Sequence, residues 1–251
     1  MNWRTLCLAV LASLALQAQA EIRLATGITP ALNIFNRVKP AFEKATGIKL
    51  WLRDARSAEA WGLLDKGEAD AAAGGLTWED WKASIKAKKL RMPSEEEITR
   101  IQIGTDTIQV LTTADVLLLT LSKEDLAGIF TGKVKSWKEI GGPDAPIFVL
   151  LDPDQAATND TFRSQIMDGQ AFGKFTWGFP KGVTVVQALE NSTFAICFAP
   201  KAAQEAIQVN SPVTPNITRP IFLVTKGKPS APVQKLLDWL KTPEAKALIV
   251  E

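Results

Sequence analysis

The sequence predicts an α/β protein that folds into two lobes. Short apolar segments alternate with amphipathic helical patterns along most of the chain, and this alternation favours a sheet with mainly parallel pairing. From Ile98 to Leu119 the strand signals become dense, which indicates a crossing into a second lobe near Gly104–Thr107. A late strand signal at Pro220–Thr225 indicates the return to the first lobe. Two crossings would hinge the lobes and leave a cleft between them.

The first lobe is predicted to open with a β-α-β-α-β pattern. Glu21–Ala25 is the first strand. Thr29 suits the N-cap position and Pro30 the first helical position, so a helix is predicted over Pro30–Ala45, ending at Gly47. The elements that follow are a strand at Ile48–Leu52, a helix capped by Ser57 through Lys66, and a short strand within 67–73.

The second lobe is predicted to contain two further helices and two strands. These are a helix capped by Ser122, a strand at Ile147–Leu151, a helix at Asn159–Met167 and a strand at Thr193–Phe198, before a proline-rich return at Ser211–Asn216. Helices at Ala231–Leu240 and, capped by Thr242, at Pro243–Ile249 complete the first lobe. The expected division is residues 21–104 and 220–251 for lobe I, and 105–219, including the crossovers, for lobe II.

Residues 1–20 have the pattern of a secretory signal peptide. Arg4 is their only charge, an apolar run extends from Leu6 to Leu16, and Ala18-Gln19-Ala20 provides the small residues of a cleavage site. The run is shorter than the roughly 20 residues that a membrane-spanning helix needs. We therefore expect export of the protein after cleavage before Glu21.

The composition excludes several classes of protein. There is no histidine, which excludes Ser-His and Cys-His nucleophilic pairs and most zinc and copper sites. No spacing among the acidic residues marks a catalytic carboxylate pair, so we expect no enzymatic activity and no cofactor. The 29 basic residues are nearly balanced by 27 acidic ones, which gives no support for nucleic-acid binding. Without the signal peptide Cys197 is the one cysteine, so no intramolecular disulfide can form.

Three predicted strand-to-helix turns offer candidate ligand contacts. In open α/β sheets ligands bind beyond the carboxyl ends of strands, where helix N-termini carry roughly half a positive charge. The turns lie at 26–29, 54–58 and 152–161. Each contains a Ser or Thr that could simply cap its own helix. Three such turns on facing lobes favour a binding cleft.

Residues 122–144, SKEDLAGIFTGKVKSWKEIGGPD, resemble a segment of the periplasmic phosphate-binding proteins of ABC importers. The resemblance is specific over Leu121–Pro146 and good over Pro220–Glu251, where Arg219–Gly227 and Thr242–Ala245 match, and it is loose before residue 100. It implies the type II periplasmic-binding-protein fold, a periplasmic location and a ligand held between the lobes. It also implies a monomer whose partner is an ABC permease in the inner membrane.

The loops that hold phosphate in that family are altered in this chain. Gly27–Thr29 matches the first loop, but in the second loop, 55–58, Ser57 is the one obvious donor that remains. In the third loop Asp152 stands in place of the family's arginine, whereas Thr158 is retained. At about 4 Å and an effective dielectric near 20, this change converts roughly 4 kcal/mol of attraction for phosphate into a similar repulsion. The resemblance therefore implies a ligand other than phosphate, unless Arg56 supplies the cation.

Eight residues in these loops are the candidate ligand-binding residues: Thr26, Gly27, Thr29, Arg56, Ser57, Asp152, Thr158 and Asn159. The oxygen-bearing side chains near Asp152 and Asp154 could suggest calcium, but they lack the spacing of an EF-hand, so we expect no metal. Three hypotheses remain. The protein is a receptor for an organic solute whose cationic or hydroxyl group meets Asp152, an oxyanion receptor that uses Arg56, or a sensor or partner-binding module on the same fold.

Overall fold

A computed structural model shows a mixed α/β fold built on one seven-stranded sheet. The structure describes residues 20–153, 155–174, 183–204 and 209–250. The predicted signal peptide lies outside these residues except for Ala20, and Asp154 also lies outside them. No helix among the described residues has the length and apolarity to cross a lipid bilayer. The predicted α/β class is confirmed.

The strands of the sheet are ordered β2-β1-β3-β7-β4-β6-β5. They are β1 (Glu21–Thr26), β2 (Lys49–Asp54), β3 (Ala71–Gly74), β4 (Ile98–Thr112), β5 (Phe148–Val149), β6 (Ala195–Pro200) and β7 (Ile217–Lys226). Pairing is parallel for β1 with β2, β1 with β3, and β5 with β6. It is antiparallel for β3 with β7, β4 with β6, and β4 with β7. The expectation of mainly parallel pairing was therefore wrong, because both strands that extend through the middle of the sheet run against their neighbours.

The helices pack around this sheet. They are α1 (Ile28–Pro30), α2 (Asn36–Thr46), α3 (Ser57–Asp65), α4 (Trp78–Ala87), α5 (Lys123–Thr131), α6 (Ala156–Ile166), α7 (Val185–Glu190), α8 (Ala231–Trp239) and α9 (Pro243–Leu248). A π-helical turn at Ala31–Phe35 joins α1 to α2, so the backbone is helical without a break from Ile28 to Thr46. Shorter 3-10 turns lie at Glu95–Glu97, Trp137–Ile140 and Lys201–Gln204.

Local signals placed several helix ends correctly. Gly47 ends α2 in the left-handed conformation, with φ of 72°. Ser122 caps α5 through a capping box with Asp125, and the side chain of Thr242 accepts a hydrogen bond from the backbone of Ala245 at the start of α9. These three predictions are confirmed.

Other boundaries differ from prediction. The N-caps that begin α1 and α3 are Gly27 and Arg56, so Thr29 and Ser57 lie inside their helices and do not cap them. Helix α6 starts at Ala156, three residues before the predicted start. Residues 116–119 are not a strand. Helix α4, whose N-terminus is capped by Thr77, was not predicted.

Strands β4 and β7 connect the two main apolar clusters. They pair in antiparallel register from Ile98 with Lys226 to Ile108 with Ile217, with one irregularity between Gln102 and Gly104. The first core is the cluster that contains Ile22, Leu24, Phe35, Phe42, Ile221 and Leu223, and the second core is the cluster that contains Ile108, Val110, Phe130, Phe162 and Ile217. The irregularity falls next to the predicted crossing at Gly104–Thr107. The division of the chain into two lobes stays a prediction.

We predict that Gly74→Ala destabilises the end of β3. A β-carbon at residue 74 would lie 2.8 Å from Ser57 Oγ and 3.0 Å from the Trp81 ring, so buried groups must shift. The expected loss is about 1–3 kcal/mol in the free energy of unfolding, measured by urea denaturation. Gly62→Ala is the control, because its β-carbon would meet Leu90 at an ordinary 3.5 Å. Equal stability of the two variants would contradict the prediction.

We also predict a pH-dependent contribution from Asp65 at the end of α3. Hydrogen bonds from Arg91, with Lys226 3.0 Å away, lower the pKa of Asp65 to about 2 from 3.8. A carboxylate whose pKa is lowered by folding stabilises the protein above the unfolded pKa, and this stabilisation is lost as the pH falls toward 2. The stability difference between wild type and Asp65→Asn should therefore shrink between pH 5 and pH 2 in urea denaturation.

The control for this experiment is Asp144→Asn, which makes the same chemical change in a pair with Lys138 whose side chains are 76% and 68% exposed. Its stability difference from wild type should stay small at every pH. A difference for Asp65→Asn that is constant across the range would contradict the assignment.

Candidate ligand site at the junction of the two cores

A buried ion pair lies in the middle of the sheet, between the two cores. Asp106 of β4 and Arg219 of β7 are direct cross-strand partners. Arg219 Nε donates to Asp106 Oδ2 at 2.9 Å, and Nη2 lies 2.9 Å from the same oxygen. Asp106 is 0% and Arg219 2% exposed. On β7, Ile217 belongs to the second core and Ile221 to the first, so Arg219 lies at the boundary between them.

The other side of Asp106 is also occupied. Asn33, on the π-helical turn after α1, donates from Nδ2 to Asp106 Oδ1 at 2.9 Å. Both carboxylate oxygens therefore accept hydrogen bonds from buried side chains, which holds the carboxylate in one orientation. Charge-assisted hydrogen bonds of this kind are roughly twice as strong as neutral ones.

Arg219 connects two of the predicted ligand loops. Its Nη2 donates to Thr29 Oγ1 at 2.7 Å and to Thr158 Oγ1 at 3.0 Å. Thr29 lies in α1, and Thr158 is the third residue of α6, where its hydroxyl donates to Gln155 Oε1 at 3.2 Å. Both threonines are buried. The structure thus brings together one residue from the first predicted loop and one from the third.

The Arg219 guanidinium keeps a desolvation penalty and, within the described residues, one unused hydrogen-bond donor, although Asp106 pairs with its charge. Burial lowers the pKa of the Arg219 guanidinium, and the Coulombic attraction and hydrogen bond of Asp106 offset only part of this effect. Among the residues that the structure describes, none accepts a hydrogen bond from the buried Nη1 nitrogen. Since an unpaired buried donor costs about 1–3 kcal/mol, or more when charged, this nitrogen is a natural contact point for a ligand acceptor.

Two glycines allow the loops to approach one another. A β-carbon at Gly75 would lie 3.2 Å from Thr29 Cγ2 and 3.4 Å from Arg219 Nε. The preceding Gly74 packs in the same way against Ser57, whose hydroxyl would be 2.8 Å from an added β-carbon. The backbone at the end of β3 therefore lies between Ser57 of the second predicted loop and Thr29 of the first.

The remaining predicted residues surround this arrangement. Thr26 is buried at the end of β1, and Gly27 is the N-cap of α1. Arg56 is exposed at the N-cap of α3. Asp152 is half-buried, and its carbonyl oxygen accepts hydrogen bonds from the backbone of Gln155 and from Asn159 Nδ2, at 3.2 and 2.9 Å. Asp152 and Asn159 thus shape the turn into α6. The roles of all eight predicted residues toward a ligand stay predictions.

Sequence reasoning missed Asp106, Arg219 and Asn33 as site residues. A signal for the ion pair was present, because Asp106 lies in the first predicted crossing, Arg219 directly precedes the strand predicted at Pro220–Thr225, and the two charges have opposite sign. Crossing strands that pair with each other can place such residues face to face. The sequence contained no comparable signal for Asn33, which reaches Asp106 through the tertiary fold.

Nothing in the described part of the chain indicates a resident metal. No group of three or more His, Cys, Asp or Glu residues comes together there.

The buried Cys197 has a pKa raised by burial, so its thiol is unreactive at neutral pH.

A comparison with protein-family models identifies the family. The model described as a PBP superfamily domain matches residues 15–244. The chain belongs to the PBP superfamily. This membership confirms the resemblance found in the sequence and agrees with the type II periplasmic-binding-protein fold.

Individual relatives of this PBP superfamily member include proteins named for phosphate. The phosphate-binding protein PstS of Bacillus subtilis is 47% identical over 49 residues, which is 20% of this chain and 16% of that protein. The matched segment thus spans much less than two thirds of the curated relative. A structure of a putative phosphate ABC transporter substrate-binding protein from Clostridium perfringens, with bound phosphate, has a TM-score of 0.72 at 16% identity, covering 92% of this chain and 100% of that one.

The same fold occurs in a regulatory protein. The reduced OxyR regulatory domain of Pseudomonas aeruginosa has a TM-score of 0.60 at 15% identity, over 88% of this chain and 97% of that one. Likeness at these identities shows the fold alone.

We predict strong coupling between Asp106 and Arg219 in stability. Arg219→Gln leaves the buried Asp106 carboxylate without its cation, and Asp106→Asn leaves the buried Arg219 guanidinium without its anion. Each variant should therefore lose about 3–5 kcal/mol in the free energy of unfolding, measured by urea denaturation. The double variant removes both charges and should cost clearly less than the sum of the single variants.

The control cycle is Lys138→Gln with Asp144→Asn, in an exposed pair 2.6 Å apart. Its coupling should stay below about 1 kcal/mol. A coupling between residues 106 and 219 that is no larger than this would show that the buried pair does not stabilise the junction.

Proposed function

We propose that this protein is an exported solute-binding receptor that delivers a small organic solute to an ABC permease in the inner membrane. In this proposal the solute binds between lobe I, residues 21–104 and 220–251, and lobe II, residues 105–219. The protein is monomeric in the periplasm, and it binds and releases its ligand without chemistry. Membership of the PBP superfamily supports the receptor function.

The observation that carries the proposal is the contact of Arg219 with both Thr29 and Thr158. These threonines come from the loops that the sequence predicts on opposite lobes, and they meet where the two cores adjoin. A ligand that replaced one of these contacts would be bound by residues of both lobes at once. Binding by both lobes favours the closed form over the open one, which is how a receptor signals its loaded state.

Burial of the junction requires an opening motion. Arg219, Thr29 and Thr158 are 2%, 7% and 2% exposed, so a solute reaches them only when the lobes separate. The shared strands β4 and β7 are the natural hinge, since their pairing is irregular between Gln102 and Gly104. A small change in backbone angles at this irregularity would separate the helices that carry the two threonines.

Two carboxylates argue against phosphate as the ligand. Asp106 already compensates Arg219 at the junction, and Asp152 lies half-buried in the turn before α6. Repulsion of roughly 4 kcal/mol from one carboxylate is large against the roughly 8 kcal/mol of a micromolar complex. Asp152 is suited to a hydroxyl or cationic group of an organic solute. If the ligand were nevertheless an oxyanion, the buried Arg219 would be better placed to hold it than the exposed Arg56.

A second candidate function is a sensor or partner-binding module. The side chains of Leu117, Leu119 and Val213 are 80%, 84% and 70% exposed, and Val213 pairs with Thr120 in an isolated bridge. Exposed apolar side chains so close together are suited to contact with another protein. The OxyR regulatory domain shows that the same fold occurs in a regulator.

The variant Asp152→Arg tests these alternatives. It restores the family's positive charge in the third loop, so phosphate affinity should rise and affinity for the organic solute should fall. The measurement is a thermal-shift scan of the purified exported protein against phosphate, other oxyanions, amines, sugars and organic acids. A ligand at about 100 times its dissociation constant adds roughly 2.7 kcal/mol of stability, which raises the melting temperature by several degrees.

The control variant is Asp144→Arg, which makes the same charge change at an exposed position. It should leave every ligand response unchanged. Strong phosphate binding by wild-type protein would contradict the choice of an organic solute. Ligand responses that Asp152→Arg leaves unaltered would remove Asp152 from the site, and the absence of any response in either protein would favour the sensor or partner-binding function.

A further inference from the structure

We propose that the solute carries a carboxylate, and that this group binds the Nη1–Nη2 edge of Arg219 between Thr29 and Thr158. The inference rests on the proposed receptor function and names the class of solute. It also assigns Arg219 as the residue that determines this specificity.

The first step of the argument is the orientation of the guanidinium. Asp106 takes the Nε side of Arg219, through Oδ2, while Asn33 holds the other carboxylate oxygen. Asp106 therefore cannot turn toward Nη1 without losing a buried hydrogen bond. The opposite edge of the guanidinium, formed by Nη1 and Nη2, is left for other acceptors.

That edge is only weakly satisfied by the protein. Nη2 donates to the neutral hydroxyls of Thr29 and Thr158, and Nη1 has no acceptor among the described residues. A guanidinium edge matches a planar carboxylate with two parallel N–H···O bonds, and such bonds are about twice as strong as bonds to neutral groups. A carboxylate would satisfy Nη1 and replace two weaker contacts of Nη2.

The charge at the junction fits a single negative charge. Arg219 and Asp106 cancel, and two helices begin beside them: the continuous helical run from Ile28 and helix α6 from Ala156. Each helix N-terminus contributes roughly half a positive charge, so the junction offers about one unit in total. A monocarboxylate matches this charge. A phosphate dianion would exceed it.

The experiment uses carboxylates with their neutral counterparts. Hydroxy, keto, amino and aromatic monocarboxylates are each paired with the corresponding amide, and inorganic phosphate is included. Thermal shift of the exported protein selects compounds, and calorimetry then gives their affinities. We expect at least one carboxylate to bind at least tenfold more tightly than both its amide and inorganic phosphate.

Variants then locate the contact. Arg219→Lys keeps a positive charge opposite Asp106 but removes the planar edge, so affinity for that carboxylate should fall at least tenfold. The double variant Asp106→Asn with Arg219→Gln removes both buried charges and should fold but not bind the carboxylate. If Arg219→Lys fails to fold, the double variant still shows whether carboxylate binding needs Arg219. Lys138→Gln with Asp144→Asn, in the exposed pair, should keep wild-type affinity.

The outcomes separate this inference from the receptor function. Tighter binding of an amide or of another organic solute without a carboxylate would overturn the carboxylate inference and leave the receptor function intact. Tighter binding of phosphate would overturn the inference and the choice of an organic solute, but the protein would still be a receptor. A carboxylate that binds with unchanged affinity to both the Arg219→Lys variant and the double variant would also overturn the inference, because Arg219 would not be its contact. The receptor function would remain. Failure of every compound to bind would contradict the receptor function and this inference together.

Discussion

The buried ion pair between Asp106 and Arg219 is the constraint on which the centre of this structure depends. Removing two charges from water costs several kcal/mol each, and only close, well-oriented partners recover this cost. A slip of β4 against β7 by one residue would place the two side chains on opposite faces of the sheet and break the ion pair. The pair therefore opposes any other register between the two strands that join the cores.

The residues around the pair provide the hydrogen-bond partners and the space that two buried charges need. Nε and Nη2 of Arg219 satisfy Asp106, and Thr29 and Thr158 provide acceptors for Nη2 from two separate helices. Gly75 is needed because a side chain there would press against both Thr29 and Arg219. The apolar cores end on either side of this polar group, at Ile217 and Ile221. In the proposed receptor function, this polar junction is where the lobes would separate, since neither apolar core would then have to be broken.

Local chemistry made much of the fold predictable. Helix ends at Gly47, Ser122 and Thr242 depend on a single residue and its near neighbours, so the sequence placed them correctly. Pairing direction depends on residues far apart in sequence, which is why the antiparallel β4 and β7 were not foreseen. The strand predicted at Ile147–Leu151 is only two residues long, because parallel pairing with β6 covers just Phe148 and Val149.

The α/β class, the family resemblance and the loops that carry Thr29 and Thr158 could all be predicted before the structure was known. Local patterns of apolar, capping and small residues indicate these properties. The tertiary structure alone decided that both threonines contact Arg219, that Asp106 lies opposite it, and that Thr29 binds a side chain instead of capping its helix. These contacts join residues that are 61 to 190 positions apart in the chain, and such residues meet only through strand register and the burial of charge.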